Sequence, residues 1–224
     1  MITITTIHDT SFRASRASAS TPIVFVVDDD VSVRESLELL ILADGWEPET
    51  FASAEEFLAR SRFDGPSCLV LDVTLPKLSG LDLQKRIVDR TDIPIIFITG
   101  YGDVPTTVRA MKAGAVEFLT KPFGDEVLLE AIRHAIERSR TSLAREAELR
   151  ALRDCHASLT PRQREIMGLV VSGLLNKQIA AKLGISEITV KAHRGQVMRK
   201  MHIDSLAELV RVGAALDVPL VAHA

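Results

Sequence analysis

Only two cysteines, Cys68 and Cys155, occur in the 224 residues. They are too few and too far apart for a disulfide framework or a metal knuckle, so both are read as free thiols in a reducing compartment. The six histidines show no metal-ligand spacing. No uninterrupted apolar run approaches the roughly 18–20 residues that span a bilayer, and Met1–Thr21 lacks the continuous apolar core of a signal peptide. A soluble, cytoplasmic protein with no membrane partner is expected. The net charge of −3 says little until it is split along the chain. Residues 1–158 carry 18 basic and 25 acidic side chains, whereas residues 159–213 carry 9 basic and 4 acidic. An acidic half followed by a basic one suggests that only the second meets a polyanion, because cationic side chains release counterions condensed on nucleic acid. Composition alone leaves a merely solvated basic surface equally open.

The length favours two domains. Residues 1–21, rich in Ser, Thr and Ala with Arg13 and Arg16, show no sustained amphipathic pattern and read as a disordered leader. From Pro22 the apolar runs Ile23–Val27, Cys68–Val73 and Ile93–Ile98 alternate with segments of helical spacing. Continuous apolar runs of this length suit parallel strands covered on both faces by helices. Weaker strands are expected at Trp46–Phe51 and Ala115–Leu119, and helices at Val31–Ala43, Ala54–Ser61, Gly80–Asp89, Pro105–Ala113 and Asp125–Arg138. Ser53-x-x-Glu56 reads as a capping box. The fold class is therefore an α/β domain with a five-stranded, doubly wound, flavodoxin-like parallel sheet over residues 22–138, then a small all-α domain. Between them Thr141–His156, rich in Ala, Leu, Arg and Glu, reads as a helical linker or a flexible tether within residues 139–158.

Three carboxylates, Asp28, Asp29 and Asp72, end or follow apolar runs, and the carboxyl ends of strands in an open parallel sheet form the crevice where ligands bind. Carboxylates crowded together repel unless a cation is present, and hard oxygen ligands suit Mg²⁺ or Mn²⁺. The cation would offset the charge of both Asp72 and an incoming phosphate, making Asp72 a nucleophile in phosphoryl transfer. Thr99 and Lys121, at other strand ends, offer a hydroxyl and an ammonium to phosphate oxygens. Each residue alone has a plain reading as a turn, a strand cap or a solvated loop.

Together, Val26-Val27-Asp28-Asp29-Asp30, Leu71-Asp72-Val73-Thr74-Leu75-Pro76, Ile98-Thr99-Gly100 and Lys121-Pro122-Phe123 resemble the receiver domain of two-component response regulators. The resemblance implies that Asp72 is the phosphoacceptor, Asp29 a direct metal ligand, Asp28 a ligand one layer out, and Thr74 a ligand through its backbone carbonyl. It implies that Thr99 and Phe118 form a two-state switch, Phe118 otherwise being a plain core aromatic, and that Thr74 and Tyr101 tune the lifetime of the phosphate. A cis Lys121-Pro122 bond occurs in this family. The partner would be a histidine kinase, and phosphorylation would pair two copies through Pro105–Ala113, Ala115–Leu119 and Asp125–Arg138. A hydrolase with an aspartyl-phosphate intermediate is disfavoured, because Thr74 stands where its acid/base Asp would be; no enzyme beyond the receiver's own phosphoryl chemistry is expected.

After the linker, within residues 159–224, Thr160 suits an N-cap, Pro161 the first helical position and Gln163 the reciprocal capping partner. Gly173 can end that helix in the left-handed conformation. Asn176 can cap a short helix Lys177–Leu183, Gly184-Ile185 form a tight turn, Ser186 is a third cap, and a last helix covers Ser205–Leu216. Two short helices joined by a glycine turn match the helix-turn-helix pattern.

Leu159-Thr160-Pro161-Arg162-Gln163-Arg164-Glu165-Ile166, Gly173 to Ala180, and Ile185-Ser186-x-x-Thr189-Val190-Lys191-x-His193 resemble the LuxR-type helix-turn-helix of the NarL and FixJ groups. Asp103-Val104-Pro105 and Met111-Lys112-Ala113-Gly114-Ala115 narrow the resemblance to the FixJ subgroup. In the recognition helix Ser186–Met201, Ile188, Val190, Val197 and Met201 are expected as apolar anchors. Lys191, His193, Arg194 and Lys200 would face double-stranded DNA, Thr189 near the helix start a phosphate, and Lys177 and Gln178 further phosphates. Arg162, Arg164 and Lys182 read as solvated charges. Gly195 departs from the pattern, where relatives often carry a larger polar residue. The expected function is a phosphorylation-controlled transcription regulator with RNA polymerase as a further partner. A phosphorylation-independent adaptor and a protein-binding or sigma-factor-like helical module are the alternatives.

Overall fold

A computed structural model describes residues 21–87, 93–100 and 102–219. The expected leader, Tyr101 and the end of the expected Gly80–Asp89 helix lie outside those residues. The chain divides into two compact units, residues 1–143 and 144–224.

The first unit alternates β1 (Ile23–Val27), α1 (Val31–Ala43), β2 (Glu47–Phe51), α2 (Ala54–Ala59), β3 (Ser67–Asp72), α3 (Gly80–Ile87), β4 (Ile95–Thr99), α4 (Val104–Lys112) and β5 (Glu117–Thr120). It closes with α5 (Asp125–Ala157), whose end falls in the second unit. The five strands are all parallel, in the order β2-β1-β3-β4-β5. Successive side chains point to opposite faces of a strand, and the core divides accordingly. Phe25, Val27, Leu69, Leu71 and Phe97 pack with Phe57 of α2, Leu83 of α3 and Ala110 of α4. Val24, Val26, Cys68, Val70, Ile96 and Ile98 pack with Leu37 and Ile41 of α1 and Leu128, Ile132 and Ile136 of α5. Helices on both faces explain why the central strands are apolar except at their ends, where Ser67, Asp72 and Thr99 stand.

The edge strands carry the polar residues. β2 reads Glu-Pro-Glu-Thr-Phe, and its Pro48 is tolerated because an edge strand needs a ladder on one side only. Helix starts are set by short polar side chains. Asp30 accepts the Ser32 N–H and Asp103 accepts the Thr106 N–H, while Ser53 accepts the Glu56 N–H. Glu56 reaches back to the N–H of Ala52, at 2.8 Å, one residue before the position that a capping box requires. The expected linker helix Thr141–His156 lies wholly within α5.

The second unit contains α6 (Pro161–Val171), α7 (Asn176–Leu183), α8 (Glu187–Lys200) and α9 (Leu206–Ala215). The capping box at the head of α6 is complete: Thr160 Oγ1 accepts the Gln163 N–H at 3.2 Å, and Gln163 Oε1 accepts the Thr160 N–H at 3.0 Å. Leu159, Ile166, Met167, Ile179, Val190, Val197, Met201 and Leu209 form its core. Gly173 and Gly184 both have positive φ, the backbone state that ends a helix with least strain in glycine. The cap expected at Asn176 moves to Leu175. Gln178 Oε1 accepts the Leu175 N–H at 2.7 Å, so the third residue of α7 caps it from inside and Asn176 is released for another contact.

Two outcomes test this packing. Ile132→Ala removes a fully buried side chain from α5 and should lower the unfolding free energy of the first unit by about 3 kcal/mol, read by urea denaturation. Cys68 is fully buried, and burial pushes its thiol pKa far up. Because the thiolate is the reacting form, an aromatic disulfide reagent at neutral pH should modify partly exposed Cys155 in the native protein and Cys68 only in denaturant.

Candidate functional site

Sheet register assembles the acidic site. Val27 is level with Leu71 across the β1–β3 pair, so Asp28, just past β1, and Asp72, the last residue of β3, stand level at the carboxyl edge of the sheet. Strand order reverses at β1, and the crevice between its end and that of β3 is the switch point where doubly wound sheets bind ligands. Asp28 is 1% exposed and Asp72 7%, while Asp29 turns outward. One carboxylate oxygen from each of Asp28, Asp29 and Asp72 lies within 4.8 Å of the others.

Lys121 follows β5 and brings its ammonium into this cluster, 2.7 Å from Asp28 Oδ2 and 2.8 Å from Asp72 Oδ2. Burial raises the pKa of Asp28, and its bonds to Lys121 oppose that shift. For Lys121, burial pulls the pKa down, but the bonds to Asp28 and Asp72 outweigh it and hold the ammonium above its ordinary value. Three carboxylates against one ammonium leave a local excess of negative charge. Hard oxygen donors with that excess fit a divalent cation of the Mg²⁺ or Mn²⁺ kind. The remaining Asp72 oxygen, Oδ1, accepts the Thr74 N–H at 2.7 Å, which fixes the carboxylate plane. The Lys121-Pro122 bond is cis.

Thr99, at the end of β4, is fully buried, and Phe118 on β5 is level with Phe97 and packs beside it, ring centroids 6.2 Å apart. Both side chains border Gly102: a Cβ placed there would lie 3.8 Å from Thr99 Cγ2, 3.5 Å from Phe118 and 2.5 Å from Thr120. The expected Thr99 and Phe118 pair therefore meets at one loop residue. Two contributors escaped sequence reasoning. Arg34 of α1 donates to the Asp28 backbone carbonyl at 2.7 Å, and Gly80 lies so close beneath β3 that a Cβ there would sit 2.2 Å from the Asp72 carbonyl oxygen. Neither has a signal in the sequence beyond its place, Gly80 at the start of α3 and Arg34 on α1.

In the second unit, α7 and α8 are joined through Gly184, Ile185 and the α8 cap Ser186, whose hydroxyl accepts the Thr189 N–H at 3.1 Å. Lys177, Gln178, Thr189 and Lys191 are exposed. Other expected DNA contacts are held within the domain. Arg194 donates to Asn176 Oδ1 and so braces α8 against the head of α7. Lys200 donates to the Ser158 carbonyl at 2.9 Å. His193 is half-buried, with its Nδ1 enclosed and without a hydrogen-bond partner. Arg162, expected to be solvated, donates to Glu165 at 2.7 Å and to the Leu183 carbonyl at 3.0 Å. Val190, Val197 and Met201 are buried anchors, but Ile188 is 82% exposed. At 100° per residue, a position two before Val190 points to the opposite side of the helix, so Ile188 is not an anchor.

The sequence pattern of the response regulator receiver domain matches residues 24–133, and that of the bacterial regulatory proteins of the luxR family matches residues 157–213. Nodulation protein W of Bradyrhizobium diazoefficiens is 50% identical over 208 residues, 92% of this chain and 92% of its own. Transcriptional regulatory protein FixJ of Rhizobium meliloti is 43% identical over 196 residues, 86% of this chain and 95% of its own. Among solved structures, response regulator StyR superposes with a TM-score of 0.76 at 46% identity, covering 87% of this chain and 99% of its own. The chain belongs to the transcriptional response regulators that join a receiver domain to a luxR-type DNA-binding domain.

Proposed function

We propose that Asp72 is the residue through which this regulator is switched. It accepts a phosphoryl group from a histidine kinase, and the modified receiver pairs with a second copy and strengthens DNA binding. The observation that carries this reading is the Lys121 ammonium bonded to both Asp28 and Asp72, with Asp29 alongside. An Asp72 oxygen attacks phosphorus, the bond from phosphorus to the donor breaks, and the donor leaves with that electron pair. Thr74 holds Oδ1 through its N–H, and Lys121 offsets charge on the acceptor and then on the phosphoryl oxygens. Asp28 and Asp29, with Asp72 and the Thr74 carbonyl, would hold Mg²⁺ or Mn²⁺, which when bound supplies the remaining positive charge. Thr99 supplies its hydroxyl to the phosphate, and Phe118 takes up the change beside Gly102. Thr74, where a hydrolase would carry its acid/base, argues against a separate turnover.

The pairing surface is assigned to α4, β5 and the first part of α5. Val104, 77% exposed, with Val108 and Met111 gives α4 an apolar outer face, of the kind that marks a protein contact. On the DNA side, α8 enters the major groove. Lys177, Gln178, Thr189, Lys191 and His193 are its contacts, and Arg194 and Lys200 act mainly by holding the helix in place. Residues 22–138 then form the receiver, 139–158 the connection and 159–224 the DNA-binding part. RNA polymerase is the next partner in the sequence of events. No helix among the described residues is long and apolar enough to cross a membrane, and the cytoplasm, where the DNA is, is the assigned location.

Acetyl phosphate with Mg²⁺ should shift the wild-type chain to dimer in sedimentation and tighten binding to its operator about tenfold. Asp72→Asn should show neither change, and a response retained by that variant would sink the mechanism. Mg²⁺ at 100 times its dissociation constant should stabilise the receiver by about 2.7 kcal/mol, read as a rise in melting temperature. Asp29→Ala, at an exposed position, should fold and lose that rise.

A further inference from the structure

The outer face of α8 has an unusual chemistry for a basic domain. Ile188, Ala192, Gly195 and Arg199 follow one another at four-, three- and four-residue steps with Lys191 beside them, and all five are exposed, on the side away from Val190, Val197 and Met201. Two of these residues are unfavourable for the protein by itself. Ile188 is the most exposed large hydrophobic side chain among the described residues, at 82%. Gly195 lies in the helix interior, has no positive φ, and a Cβ placed there meets nothing within 4 Å. Nothing in the packing or backbone of the domain calls for glycine, which is among the poorest helix formers.

We infer that Ile188 and Gly195 set the sequence preference of this DNA-binding domain, Ile188 by packing on a thymine methyl group and Gly195 by letting the duplex approach the helix backbone. The inference rests on α8 being the recognition helix. Residues at the N-terminal end of a recognition helix are those that reach base edges, and Ile188 is the second residue of α8. Its side chain has no hydrogen-bonding group, and the one apolar feature that a base presents in the major groove is the C5 methyl of thymine. Ala192 and Gly195 continue the same line with almost no side chain, so the groove wall can come closer there than a larger residue would permit. Lys191, between Ile188 and Ala192, is the exposed cationic donor of the first two turns, suited to a guanine edge. A half-site read in this way contains a thymine whose methyl group, not its hydrogen-bonding pattern, matters for affinity.

The test uses the full-length chain and the duplex that it selects from a random pool, copied with deoxyuridine in place of each thymine in turn. At one thymine per half-site, loss of the methyl group should weaken wild-type binding about fivefold, and Ile188→Ala should bind the thymine duplex about fivefold more weakly and no longer distinguish the two copies. Gly195→Ala should melt no lower than wild type, because the added methyl group is free of clashes and improves helix propensity, yet bind the selected duplex about tenfold more weakly. Melting temperatures of both variants check that the fold is intact. If Ile188→Ala keeps the wild-type discrimination between thymine and deoxyuridine, or Gly195→Ala binds as wild type, the inference is overturned while α8 can remain the reading helix. If Lys191→Ala keeps both the affinity and the sequence preference of wild type, α8 does not read the duplex, and the inference falls together with the reading on which it rests.

Discussion

Two buried carboxylates, Asp28 and Asp72, share the Lys121 ammonium at the carboxyl ends of β1, β3 and β5, with Asp29 alongside, and the rest of the first unit is arranged to hold them there. Carboxylates so close repel, and burial of Asp28 adds a desolvation cost that its bonds to Lys121 only partly offset. A folded chain tolerates such a site because the strands beneath it are buried on both faces and do not yield. The parallel register brings Asp28 and Asp72 level, and the loop after β5 carries Lys121 past β4 to meet Asp72 and, one strand further, Asp28. The apolar core is thus what allows an electrostatically unfavourable constellation to persist. A divalent cation suits the site for the same reason: it supplies positive charge that the protein alone leaves short.

The second unit divides its basic residues differently. Arg162, Arg194 and Lys200 are bonded inside the domain, whereas Lys177 and Lys191 are exposed. The first group therefore fixes the geometry of the helices, and the second leaves its charge at the surface. Gln163 joins the two kinds of work: it completes the cap of α6 and donates to Gln196 of α8 at 2.9 Å, so the same side chain starts one helix and positions another. A buried polar residue of this sort specifies a geometry more than it adds stability.

Most of this architecture was legible in the sequence because the signals were redundant. Strand β1 is apolar throughout and β3 and β4 carry polar residues only at their ends. The caps Ser53, Thr160 and Ser186 are short polar residues before helical spacing, and Asp28, Asp72, Thr99 and Lys121 stand at or just past strand ends. What was not legible depended on a neighbour brought in by folding. Asn176 has a good capping side chain, but Gln178 already serves the N–H of Leu175 and Arg194 takes the Asn176 oxygen. Ile188 reads as core by composition and lies outside by helical phase. Gly80 matters because the Asp72 carbonyl occupies the space where its Cβ would be, a contact that spacing alone does not reveal.

That contact also bears on how the acidic site is linked to the outer face of α4. Gly80 opens α3 directly beneath the end of β3, and Gln84, one turn later and almost fully buried, donates to the carbonyls of Ala110 and Ala113 at 3.2 Å each. Those carbonyls lie at the end of α4, the helix that carries Val104, Val108 and Met111 on its outer side. A shift of the backbone around Asp72 therefore meets α3 without slack, and α3 is hydrogen-bonded to α4 through a side chain that has no water to turn to. The second route, through Thr99, Gly102 and Phe118, reaches the other end of α4, where Asp103 caps the helix. Both ends of α4 are thus held by elements that touch the site, and a closely packed contact of this kind favours discrete arrangements over gradual deformation. On the role proposed for Asp72, a small change in charge there would become a choice between two positions of an apolar surface.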